Sequence, residues 1–145
     1  MTEAAKTPLH LWIVGALSGL WNLFGGYDYI MTQTSNAAYV ASFTEAQKAY
    51  FASFPAWMEA AWAVGVWGAL AGSLLLLLRN RHAVSAFGLS LLGLLVSTLW
   101  QFGLAPVKAN DIMPPEGMYL TAAIWAVAVG LVAYAIWAQR RGWLR

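Results

Sequence analysis

Two tryptophan–amide pairs are the residues whose types and spacing best fit a binding chemistry. Trp21-Asn22 and Trp100-Gln101 each place a side-chain amide beside an indole, near the end of an apolar stretch. An amide bonds hydroxyls, and an indole stacks on the apolar face of a sugar ring. The pairs therefore indicate a site for a polyol. The alternative is that the amides form interhelical hydrogen bonds of about 1 kcal/mol or less.

Carboxylates near the ends of apolar stretches are the second set of candidates. Asp28, next to Tyr29, ends the first stretch, and Glu59 lies about one turn into the second. With Asp111 and Glu116 they predict an acidic outer rim that attracts cations or amines. The alternative is ordinary solvation of these groups at a membrane interface.

Tryptophans inside the apolar stretches are the third set. Trp62 and Trp67 lie in the second stretch, and Trp125 lies in the fourth. A buried indole N–H needs a partner, so these rings indicate either a pocket for a lipid, quinone or pigment, or a surface that faces lipid. The candidate ligand-binding residues are Trp21, Asn22, Asp28, Tyr29, Glu59, Trp62, Trp100 and Gln101.

The composition excludes several classes of chemistry. The chain has no cysteine, which rules out disulfides, thiol catalysis and cysteine-ligated metals. His10 and His82 lie near the ends of stretches, too shallow for a haem slot. We therefore predict no catalytic residue, no metal, no cofactor and no enzymatic activity. The net charge of +2 reflects basic residues at the ends of stretches, which fits membrane topology better than nucleic-acid binding.

Four apolar stretches must position these residues. They run over 9–29, 56–78, 83–102 and 119–138, and each has about 20 residues, enough to cross about 30 Å of hydrocarbon. With 61% hydrophobic and 10% charged residues, the chain has too few polar side chains to cover them in water. The sequence predicts an all-α, polytopic membrane protein: one domain over 1–145, folded as a compact bundle of four transmembrane helices in a lipid bilayer.

Charge indicates how this bundle is oriented. The 79–82 turn and the 140–145 segment carry the arginines, whereas the segments 31–55 and 103–118 carry few basic residues. Because basic short loops stay in the cytoplasm, both termini and the 79–82 turn are predicted to be cytoplasmic.

The first outer loop contains a helix signal. Thr44-Glu45-Ala46-Gln47 has the pattern of a capping box, and aromatic residues follow it. The pattern predicts a short helix near 45–53 that lies on the outer membrane surface with its aromatic side chains facing inward.

Small residues recur at four-residue spacing in every stretch. The pairs are Gly15-x-x-x-Gly19, Gly68-x-x-x-Gly72, Gly93-x-x-x-Ser97 and Ala126-x-x-x-Gly130. Such pairs let helices approach closely in a bilayer, where lipid tails give no hydrophobic drive for association. They predict a tightly packed bundle and are compatible with a homodimer or a larger membrane complex.

A long run of residues resembles a known group of proteins. The run contains Pro8-Leu9-His10-Leu11-Trp12, Trp21-Asn22, Asp28-Tyr29-Ile30-Met31-Thr32-Gln33-Thr34, Phe54-Pro55-Ala56-Trp57 and Trp67-Gly68. It is similar to small four-span inner-membrane proteins of proteobacteria that are often labelled "sugar transporter". The likeness is good over 8–80 and loose beyond. It implies a multi-pass protein of the bacterial inner membrane, with 28–34 as the functional surface.

Three functions stay open at this point. The first is a transporter or channel for a small polar solute such as a sugar, with Asn22 and Gln101 lining the site and Asp28 at its outer mouth. The second is a non-catalytic accessory subunit of a larger membrane complex. The third is a lipid- or pigment-binding bundle. We take the first as the working hypothesis.

Overall fold

The fold is all-α over residues 6–145, the part of the chain that the computed structural model describes, and these residues form no strand. The prediction of one domain over 1–145 includes residues 1–5, which lie outside this range. The elements are α1 (Leu9–Gln33), α2 (Ala37–Val40), α3 (Glu45–Ala52), α4 (Ala56–Leu77), α5 (Ala83–Leu99) with a π-helical continuation (Trp100–Leu104), α6 (Ala109–Ile112) and α7 (Pro115–Arg140).

Three helices are long and apolar enough to cross a membrane: Ala56–Leu77, Ala83–Leu104 and Pro115–Arg140. The first predicted span forms α1, which has 25 residues and is therefore long enough. Polar side chains, among them His10, Asn22 and Asp28, interrupt its apolar surface, and α1 is not among the three. The structure therefore supports a membrane protein with three candidate spans.

Proline and capping residues set where the helices begin. A proline directly precedes each of α1, α4 and α7: Pro8, Pro55 and Pro114. Each proline has extended backbone angles, so the helix begins at the next residue. Thr44 is the N-cap of α3 and forms the predicted capping box. The Thr44 hydroxyl accepts from the Gln47 backbone N–H at 3.1 Å, and the Gln47 side chain accepts from the Thr44 N–H at 3.0 Å.

We expect Thr44→Ala to weaken α3 specifically. The substitution removes the hydroxyl that holds an otherwise unpaired backbone N–H, at a cost of about 1 kcal/mol. Hydrogen exchange measured by mass spectrometry should show faster exchange in 45–52 and unchanged exchange in 56–77. Thr34→Ala is the control, because its hydroxyl donates only to the carbonyl of Ile30 within α1. Equal protection of 45–52 in both variants would contradict the capping role.

The long helices stand in the order α1, α4, α5, α7. Each packs against its neighbour in this order, whereas α1 and α7 are not packed together along their lengths. The bundle is therefore an open arc with a gap between its first and last helices.

Glycines set the short distance between α4 and α5. A Cβ atom at Gly93 would lie 2.5 Å from the carbonyl oxygen of Ala61 and 2.6 Å from the backbone nitrogen of Gly65. Because both neighbours are backbone atoms, only glycine allows this approach. The Ser90 hydroxyl reinforces the contact by donating to the Gly65 carbonyl at 2.5 Å. The small-residue surfaces predicted for the second and third spans therefore face each other.

The small-residue pair of the fourth span does not pack within the chain. A Cβ atom at Gly130 would meet no heavy atom within 4 Å, and Ala126 is exposed. α7 turns a different face inward, and its Leu131 and Ala135 join the core with Phe87 of α5. The Ala126-x-x-x-Gly130 pair therefore does not contribute to packing within the bundle, because Leu131 and Ala135 on another face of α7 provide that packing. The homodimer or larger complex with which the pair is compatible stays a prediction.

One aromatic cluster joins α1 to α7 at a single end of the gap. The His10 ring forms a 2.6 Å hydrogen bond to the Tyr134 hydroxyl, stacks on Trp137 at 5.6 Å and meets Trp143 edge-on at 5.1 Å. We call these four side chains the aromatic clasp. It closes the end of the bundle at which α1 begins and α7 ends.

The segment that carries Trp143 is fixed to the turn between α4 and α5. The Arg145 N–H donates to the Arg79 carbonyl at 2.7 Å, and the Arg81 N–H donates to the Arg145 carbonyl at 2.9 Å. The Arg79 side chain also donates from Nε to the Trp143 carbonyl at 3.0 Å. These bonds hold the clasp against α4 and α5 as well as against α1.

Candidate functional site

A cavity of about 760 Å³ occupies the gap between the helices. α1, α4, α5 and α7 form its walls, and α3 covers one end. Its volume is within the usual range for small-molecule sites. Five of the eight candidate residues line it, and they are Trp21, Asn22, Asp28, Trp62 and Gln101.

The cavity is long rather than round. Along α7 its lining runs from Gly117 to Leu131, and along α5 it runs from Phe87 to Phe102. Each run covers roughly 21 Å or slightly more at 1.5 Å per residue. A volume of about 760 Å³ over that length gives a mean width of about 7 Å. The cavity is therefore a slot that runs nearly parallel to the helices.

Asn22 lies at the middle of α1 and is bound to α4. Its amide nitrogen donates to the Ala69 carbonyl at 3.1 Å and to the Ser73 hydroxyl at 2.9 Å, and Ser18 contacts the same hydroxyl at 2.9 Å. Sequence reasoning expected Asn22 near the outer end of the first span. That position is wrong, because α1 continues to Gln33 and moves the helix midpoint to Asn22.

Gln101 lies at the opposite end of the slot, in the π-helical continuation of α5. The wider π turn closes with a 2.7 Å bond from the Ala105 N–H to the Trp100 carbonyl. Gln101 faces the cavity, and its Oε1 accepts a long, 3.4 Å bond from the Tyr50 hydroxyl. Because Asn22 is level with Gly72 and Phe87, roughly 20 Å separates the two amides along the bundle.

Asp28 lies on the cavity wall and is paired. Its Oδ1 accepts a short hydrogen bond from the Tyr39 hydroxyl, which α2 brings back over α1. Burial, the hydrogen bond to Asp28 and its negative charge raise the Tyr39 pKa to about 12. At neutral pH the phenol therefore remains a donor to the carboxylate.

α3 forms an aromatic roof over the slot. Tyr50, Phe51 and Phe54 all line the cavity, and Tyr50 and Phe54 are buried. Burial raises the Tyr50 pKa to about 12. The rings pack on one another and on Trp62 and Trp100 at 5.0 to 6.5 Å between centroids. The inward-facing aromatics predicted for this helix pack onto the bundle itself.

Three candidate residues lie off the cavity wall. Tyr29 packs edge-on against Trp62 at 4.8 Å, on the other side of α1. Trp100 is only 6% exposed and belongs to the aromatic core beneath the roof. Glu59 lines a second, smaller cavity of about 360 Å³, together with Thr32, Gln33 and Lys48. The predicted 28–34 surface is therefore divided between two cavities.

Several lining residues were not identified from the sequence. Tyr39 comes from α2 and Tyr50 from α3, in the segment before α4, where the capping box and the aromatic residues after it indicated a helix but not a contribution to the site. Thr98 lines the slot and accepts from the Trp125 indole N–H at 3.2 Å, the partner that a buried indole needs. Thr121 also lines the slot, but its hydroxyl donates to the Gly117 carbonyl of its own helix.

The lining of the slot is compatible with the binding of a small organic molecule. Within residues 6–145, no three His, Asp or Glu side chains lie close enough to share a metal ion. The lining is mostly apolar and aromatic, and a few polar groups are spaced along its length. No family model, curated protein or solved structure matches this chain.

Proposed function

We propose that the chain is a four-span integral membrane protein that binds a small organic solute in the slot and acts as its transporter or carrier. The observation that supports this most is the slot itself, which all four long helices line and which opens between α1 and α7. In this proposal α1 is the fourth span. Its polar residues His10, Asn22 and Asp28 all have hydrogen-bond partners within the chain, which lowers the cost of placing them in lipid.

Charge supports an orientation with the clasp end in the cytoplasm. In residues 6–145 every arginine lies at the end of α4, at the start of α5 or after Gln139. All carboxylates of this range lie nearer the other end, and they are Asp28, Glu45, Glu59, Asp111 and Glu116. Short basic segments stay in the cytoplasm. We propose that both termini lie on the cytoplasmic side and that the protein lies in the bacterial inner membrane, as its resemblance to small four-span inner-membrane proteins implies.

The proposal is tested by native mass spectrometry on protein taken from its own membrane in mild detergent. We expect a monomer or homodimer that keeps a small organic molecule bound. Copurification of foreign subunits in fixed ratio would instead make the chain an accessory subunit. Protein that arrives alone and empty, and that binds no added D-glucose, glycerol or 1-octadecanol, would overturn the binding function.

Gln101→Leu should reduce occupancy of the site without unfolding the protein. The leucine keeps most of the volume and removes the amide at the outer end of the slot. Loss of one hydrogen bond of about 1 kcal/mol lowers affinity about fivefold. Gln139→Leu is the matched control, because Gln139 is exposed at the far end of α7. Equal occupancy in the two variants at limiting ligand would remove Gln101 from the site.

A further inference from the structure

We infer that the natural ligand of the slot is a neutral amphipathic molecule with a hydroxyl- or carbonyl-bearing head and a hydrocarbon body, which enters from the bilayer between α1 and α7. This inference rests on the proposed function and specifies its ligand. It replaces the sugar that the resemblance suggests with a molecule that is polar at one end only.

The length of the slot argues against a compact polar solute. Asn22 and Gln101 lie roughly 20 Å apart along the bundle, so one sugar ring cannot contact both. The Asn22 amide nitrogen is already bound to Ala69 and Ser73. A sugar bound at either end would leave most of the slot empty, and the walls of the slot there are apolar.

The distribution of polar groups assigns the two ends of the ligand. The end beneath α3 offers the Gln101 amide and the Tyr50 hydroxyl, joined only by a 3.4 Å bond. Toward the clasp the walls are formed by Phe87, Leu94 and Leu131, together with Asn22, whose amide nitrogen is bound to α4. Two serines of α5 that line the slot already donate to backbone carbonyls, Ser90 to Gly65 and Ser97 to Leu94. The head therefore fits beneath α3 and the hydrocarbon body fits along α5 and α7.

The charge of the lining excludes an anionic head. Asp28 is the one carboxylate that lines the slot, and the lining contributed by residues 6–145 contains no lysine, arginine or histidine. A fatty acid or a phospholipid would bring a negative charge toward Asp28 with no cation to balance it, in surroundings of low dielectric. A neutral alcohol, ketone or quinone brings no such cost.

The gap between α1 and α7 provides the route from the bilayer. The slot is lined by side chains of both helices that are also exposed, Phe24 and Tyr27 on α1 and Leu120 and Ile124 on α7. An apolar opening on the outside of a membrane-embedded bundle faces lipid tails. A ligand dissolved in the bilayer can therefore reach the slot without crossing water.

Photolabelling tests this inference on the full chain in nanodiscs of phosphatidylcholine. The probe is octadecanol with a diazirine in its chain, and the labelled residues are located by mass spectrometry. We expect labels on 87–102 and 117–131. Unlabelled octadecanol should compete, whereas octadecanoate at pH 8 and D-glucose should compete at least about tenfold less well.

Two variants on one helix make the test specific to the slot. Ala128 lines the slot and Ala126 is exposed on the outside of α7, so Ala128→Phe fills the slot and Ala126→Phe does not. We expect labelling to fall about tenfold or more in Ala128→Phe and to be unchanged in Ala126→Phe. Equal labelling in both variants, or equal competition by octadecanoate, would overturn the inference.

The outcomes separate the ligand class from the function. Protein that binds D-glucose or glycerol and is not labelled by the octadecanol probe would overturn the amphipathic ligand and leave a solute carrier in place. Protein that binds none of these molecules would overturn both.

Discussion

Gly93→Ala should lower the free energy of unfolding by about 1–3 kcal/mol, the cost of overpacking a close contact. The added methyl group would lie 2.5 Å from the Ala61 carbonyl oxygen and 2.6 Å from the Gly65 nitrogen, so α4 and α5 must separate. Their contact is the most extensive in the bundle, and the Ser90–Gly65 hydrogen bond lies within it. Unfolding by sodium dodecyl sulfate in mixed micelles, followed by circular dichroism, measures the change.

Gly88→Ala supplies the control on the same helix. A Cβ atom at Gly88 would meet no heavy atom within 4 Å. This substitution should be neutral, or stabilising by up to about 1 kcal/mol, because alanine favours a helix over glycine. Similar destabilisation by both substitutions would show that the loss at Gly93 comes from the helix itself and not from its crossing with α4.

Asn22→Ala should destabilise the fold, by about 1–2 kcal/mol, rather than only remove a ligand contact. The substitution deletes both donors to α4 and leaves the fully buried Ser73 with fewer partners. The same unfolding assay measures the loss. Gln101→Ala should change stability far less, because the one side-chain hydrogen bond described for Gln101 is the long, 3.4 Å bond from Tyr50.

A double-mutant cycle separates the Asn22–Ser73 interaction from side effects of truncation. Comparison of Asn22→Ala, Ser73→Ala and the double variant should give a coupling energy of about 0.6–1.7 kcal/mol, as for interhelical hydrogen bonds in membranes. A coupling of zero, with ligand occupancy lost in Asn22→Ala, would assign the amide to the ligand after all.

The helices could be predicted from the sequence because the signals for them are local. Apolar length, the prolines before α1, α4 and α7 and the capping box at Thr44 each depend on a few neighbouring residues. The classification of α1 as a span was less clear, because His10, Asn22 and Asp28 make it less apolar than the other three long helices.

The site was less predictable because it depends on the rotation of each helix about its axis and on the depth of each residue in the bundle. The pairs Trp21-Asn22 and Trp100-Gln101 look alike in sequence. In the structure Trp21 is 38% exposed and lines the slot, whereas Trp100 is 6% exposed and is packed beneath α3. The π turn at Trp100 changes which side chain faces the cavity, and no residue pattern in the sequence predicts that turn.

The division of the candidate residues between two cavities also depends on the rotation of the helices. α1 faces α4 with one side and the slot with another, so Asp28 and Tyr29, one residue apart, contact different neighbours. A sequence shows which residues are adjacent along the helix. Which of them share a site depends on the crossing of α1 and α4. That crossing is set by residues distant in sequence, such as Gly26, where an added Cβ atom would lie 3.3 Å from the Trp67 ring.

The position of the aromatic clasp gives the bundle a mechanical asymmetry. α1 and α7 are joined at His10 and Tyr134, whereas Gly117, where the slot's lining on α7 begins, is 17 residues away along the same helix. That distance is roughly 26 Å, so a pivot of about 10° at the clasp displaces the far end of α7 by about 4–5 Å. A rotation of α7 about the clasp would therefore change the width of the gap most at the end beside Gln101, which is the end farthest from His10.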